Sequence, residues 1–126
     1  MKRLFVAAAF LATPAAAQQA APGPMSLEQA MLLRCSAAFA VVAGEQARGA
    51  ESARAYPALG ERGREFFVRA SARLMDERNL SRPQVEAALR EEASRFHADA
   101  ARAPDRARFV DGVMQPCLGV LEASGL

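Results

Sequence analysis

Apolar positions recur at helical spacing in four separate stretches of this chain, and no stretch alternates in the way of a half-buried strand. The richest is 30–42, AMLLRCSAAFAVV, which is apolar almost all the way round. On a helical wheel Leu27, Met31, Leu32, Cys35, Ala38, Phe39 and Val42 share one broad face, and Leu33, Ala37, Ala40 and Gly44 form a second, mostly of small residues. Such a pattern predicts a core helix that other helices pack around. Ser26-Leu27-Glu28-Gln29 has the spacing of a capping box, and Arg48-Gly49 supplies a stop, so the helix is expected over 26–47.

The remaining pattern predicts three more helices. Residues 49–56 show no strong period and read as a connection with room for a helical turn. Pro57 suits the first turn of a second helix, whose stripe is Leu59, Gly63, Phe66, Phe67, Ala70 and Leu74. Gly60 and Gly63 weaken its start by roughly 1 kcal/mol each relative to alanine. On the back of the same helix Val68, Ala72 and Met75 stand at i, i+4 and i+7, away from the stripe, and offer a surface for a partner. Asn79-Leu80 ends it. Ser81-Arg82-Pro83-Gln84 restarts a helix with a second capping-box spacing, expected over 82–101 with the stripe Val85, Leu89, Ala93, Phe96 and Ala100.

After Ala103-Pro104-Asp105 a fourth helix is expected over 105–123, with Phe109, Val110, Val113, Met114, Cys117, Val120 and Leu121 on one face. Pro116 removes a hydrogen bond inside it and predicts a bend between Gly112 and Pro116, which serves most simply to aim Cys117 at Cys35. The fold class is therefore all-α: about four helices in a small bundle-like domain over 26–126, the first and last joined by a Cys35–Cys117 disulfide.

The first residues change the picture of where this domain works. Lys2 and Arg3 precede a short apolar run over 4–12, and Ala15-Ala16-Ala17 is an A-x-A cleavage site. The apolar run is about half of the ~20 residues a spanning helix needs, and Thr13-Pro14 breaks it. A signal peptide over 1–17, a flexible Pro/Gly-punctuated lead-in over 18–25 and export to the bacterial periplasm follow, with no stable membrane insertion after cleavage. Export is also the setting in which two cysteines centred on apolar helix faces form a bridge. Cys-x-x-Cys, the usual redox spacing, is absent.

Charge narrows the partners. Loss of Lys2 and Arg3 takes sixteen basic groups to fourteen against fourteen acidic ones, so the sequence pI of 8.9 overstates the basicity of the mature chain. Interspersed charges with no basic stripe speak against nucleic acid. Every mature cation except His97 is arginine, a bias that accompanies the abundance of alanine and points to coding composition rather than to an anion site.

Convergent chemistry is scarce. His97 is the single histidine, it borders the apolar stripe of the third helix, and no carboxylate stands three or four residues from it. A zinc site wants more cysteine or histidine than the chain has, and no Cys-x-x-Cys-His for haem attachment occurs. Haem held without a covalent bond by His97 and a methionine such as Met31 or Met114 is the remaining cofactor geometry. Glu91-Glu92 and Asp76-Glu77 are adjacent pairs, which a helix points apart. No catalytic residue, cofactor or metal is assigned. The expected function is that of a non-enzymatic envelope protein that binds or shields another protein. The alternative is a carrier of a small apolar ligand or haem inside the bundle, and the third reading is an enzyme built on His97. No pattern in the sequence sets an oligomeric state.

Overall fold

The structure, a computed structural model, describes residues 23–126, so the expected signal peptide and most of the lead-in, 18–22, lie outside the described residues. Four helices follow in order: α1, Leu27–Ala47; α2, Gly60–Arg78; α3, Arg82–Arg102; and α4, Arg106–Ala123. A short 3-10 turn, Glu51–Ala55, lies between α1 and α2. No strand occurs among the described residues.

Both capping boxes form. The Ser26 hydroxyl accepts from the Gln29 amide while the Gln29 side chain accepts from the Ser26 amide, and Ser81 and Gln84 repeat the exchange. Asp105 caps α4 by accepting from the Arg108 amide at 3.0 Å. Gly49 and Gly125 follow α1 and α4 with φ of 74° and 75°, and Asn79 ends α2 at φ 51°, so three of the four helices stop at a left-handed residue, while α3 stops at extended Ala103.

α1 is the axis of the bundle. It packs against α2, α3, α4 and the 3-10 turn, and buries residues on all sides, from Leu33 and Ala37 to Cys35, Phe39 and Val42. It is also the one described helix long and apolar enough to cross a membrane; the other helices bury its middle, from Leu33 to Val42, and leave Leu27, Ala30 and Ala40 exposed. The main core joins Phe39, Leu59, Phe66, Phe96, Met114 and Leu121. Phe39 meets Phe66 edge-on at 5.2 Å, and Phe96 meets Phe109 at 5.8 Å. A second, smaller cluster of Leu33, Leu74 and Val85 sits under the α2–α3 turn.

Cys35 and Cys117 form the disulfide, with Cα atoms 5.2 Å apart and neither residue more than 1% exposed. α4 runs unbroken through Pro116, whose ring faces solvent.

Two expectations need correction. Leu27, placed with the core face of α1, is 84% exposed because it is the first residue of the helix and its side chain is left uncovered there. Pro57 lies three residues before α2 rather than in its first turn: Gln46 of α1 donates to the carbonyls of Ala53, Tyr56 and Pro57 and accepts from the Leu59 amide, which holds 56–59 as a non-helical strap.

Candidate functional site: an apolar trough along the second helix

α2 buries Gly63, Phe66, Ala70 and Leu74 and leaves the adjoining face uncovered. Because α2 and α3 are joined by the tight Asn79–Ser81 turn, they stay together at that end, where Leu74 and Val85 meet. Along this side Val68, Ala72 and Met75 of α2 line an open groove of about 200 Å³ with Arg82, Val85 and Glu86 of α3. The three residues singled out from spacing therefore fall in one groove. Val68 is 53% exposed, Ala72 exposed and Met75 half-buried.

Phe67 belongs to this groove and to a second one of about 270 Å³. There Ser36, Ala40 and Ala43 of α1 face Gly60 and Arg64 of α2. Gly63 brings the helices close enough that a Cβ built on it would stand 3.2 Å from that of Phe39. The Ser36 hydroxyl is buried without a hydrogen-bond partner. Sequence reasoning missed this half. Ala40 was legible as part of a small-residue face, but that it stays exposed while Leu33 and Ala37 are covered depends on where the other helices lie.

A polar cluster lies where α1, the 3-10 turn and α4 meet. Glu45 pairs with Arg106 at 2.6 Å, and Tyr56, Arg108 and Asp111 line the same open depression. Burial, followed by the Asp111 and Glu45 carboxylates, raises the Tyr56 phenol above its ordinary 10.0. The phenol is thus held protonated, a hydrogen-bond donor rather than a base.

His97 is exposed, beside Phe96 on α3, while Met114 is wholly buried and Met31 half-buried. Neither His97 nor Met114 lines any of the grooves above. Among the described residues no group of three or more His, Cys, Asp or Glu side chains could hold a metal ion. No protein-family model matches the chain, and neither a curated protein nor a solved structure does so.

Proposed function

We propose that this is an exported, non-enzymatic helical protein of the bacterial periplasm that acts by binding another protein along the exposed side of α2. The observation that carries the reading is the open groove at Val68, Ala72 and Met75, where Val68 is exposed and Met75 half-buried beside Arg82, Val85 and Glu86 of α3. Covering the apolar lining of the groove removes it from water, which favours association with a partner's apolar side chains. Export is supported by the Lys2-Arg3 start, the apolar run, the Ala15-Ala16-Ala17 site and a disulfide of the kind reducing compartments do not keep.

A photo-reactive residue placed at Ala72, with exposed Ala101 as the control position, tests the reading in the living host. A discrete heavier species from position 72 and none from position 101 is expected. Native mass spectrometry of the protein recovered from the envelope adds a second readout: a chain beginning at Gln18 and two hydrogens light. A retained small molecule together with no protein adduct would instead establish a carrier.

A further inference from the structure

The two grooves share Phe67 and follow one another along α2; taken together as one trough, their form narrows the partner. It follows α2 from Gly60 to Met75, about 22 Å at the helical rise. Both halves, about 270 and 200 Å³, are open to solvent, so the trough covers one side of an occupant. Small-molecule pockets enclose most of their ligand's surface, which makes a broader, rod-like occupant the better fit. At one end the floor is Ser36, Ala40 and Ala43, small enough for a second backbone to come close, and the Ser36 hydroxyl there is buried and unpartnered.

Charge decides the flanks. Arg64 borders one half of the trough and Arg82 the other, and neither forms an ion pair or hydrogen bond among the described residues. Against these two guanidinium groups stands one carboxylate, Glu86. Such a rim favours acidic side chains and disfavours basic ones.

We infer that the trough receives an amphipathic helix of the partner protein, about four turns long, with small and aliphatic residues on its apolar face and acidic residues on its flanks. The inference rests on the protein-binding reading above and adds the partner's local structure and charge.

Two designed peptides of one apolar face, Ala and Leu, test it: one carries Glu on both flanks, the other Lys. Their binding to the full mature protein, disulfide intact, is measured by fluorescence anisotropy at low and high salt. The Glu peptide is expected to bind about tenfold tighter at low salt, with the advantage shrinking as salt rises. Reversing both rim charges, Arg64→Glu with Arg82→Glu, is expected to invert the order, and circular dichroism of these exposed-site variants checks that the fold is kept. Equal affinities, an order unchanged in the double variant, or binding of neither peptide would overturn the inference. If neither peptide binds while position 72 still cross-links a protein, the helical partner is wrong and the protein-binding reading stands; if cross-linking fails as well, both fall.

Discussion

Gln46 satisfies four backbone groups with one side chain. Its amide nitrogen reaches the carbonyls of Ala53, Tyr56 and Pro57, and its oxygen takes the amide of Leu59, a residue with no exposed surface. Methionine has nearly the same shape and helix propensity but none of the polarity. Gln46→Met is expected to lower stability by roughly 1–3 kcal/mol, read from the denaturant midpoint, because the strap's polar groups lose their partner. Gln46→Glu should cost at least as much, because it turns a carboxylate oxygen towards the three carbonyls that the amide group served. Nothing around Gln46 in the sequence announces this role, since its partners lie seven to thirteen residues on and only tertiary folding aligns them. Glu77 combines a local contact with a distant one: Arg73, four residues back on the same helix, and then Gln29 of α1 donate to it and hold its carboxyl below the ordinary 4.5. A lowered folded-state value means that this contribution is present above pH 4.5 and is lost as pH falls through the lower, folded value. The stability gap between the native protein and Glu77→Gln should therefore close on acidification below that point, which unfolding curves at successive pH values would show.

Helices were legible to the extent that their signals were local. The spacing Ser-x-x-Gln marked the starts of α1 and α3, and positive-φ Gly49, Asn79 and Gly125 marked three ends, because caps are settled within a few residues. Pro57 misled because a proline compatible with a first turn is equally compatible with a strap, and Gln46 decided between them from another helix. The trough divides the same way. Val68, Ala72 and Met75 share a helix face and could be read together, whereas the α1 floor of Ser36, Ala40 and Ala43 joins them only through the approach of α1 to α2. Gly63 governs that approach. Alanine there would gain about 1 kcal/mol of helix propensity, but its Cβ would crowd Phe39, which is fully buried and locked edge-on against Phe66. Overpacking of 1–3 kcal/mol outweighs the gain. Gly63→Ala is expected to lower the melting temperature, while Gly60→Ala, with no atom within 4 Å of the added carbon, should not.

For the molecule as a whole, the bridge and the balance of charge set the conditions under which it stays folded. Cys35 and Cys117 close a loop of 82 residues, for which the chain-entropy relation gives roughly 4 to 5 kcal/mol, with measured losses of native bridges about 2–5. Replacing both by alanine should lower the unfolding free energy, read from denaturant titration, by an amount in that range, and the loss should not depend on pH near neutrality. Acid acts on the carboxylates instead: protonation removes the negative charge of the fourteen in residues 23–126 while the fourteen arginines there stay positive. Self-repulsion should then expand the domain and reduce its helicity, measurable by small-angle scattering and circular dichroism. The bridge also sets the path of mechanical load. Tension applied outside the cysteine pair is carried across the sulfur–sulfur bond, so α2 and α3, the two walls of the trough, lie on a slack branch of the chain. In a single-molecule pulling experiment the oxidised protein should lengthen only by its short flanks, and the full extension of the inner segment should appear only after reduction. A partner seated on the trough could be tugged by the ends of this protein without being shaken loose.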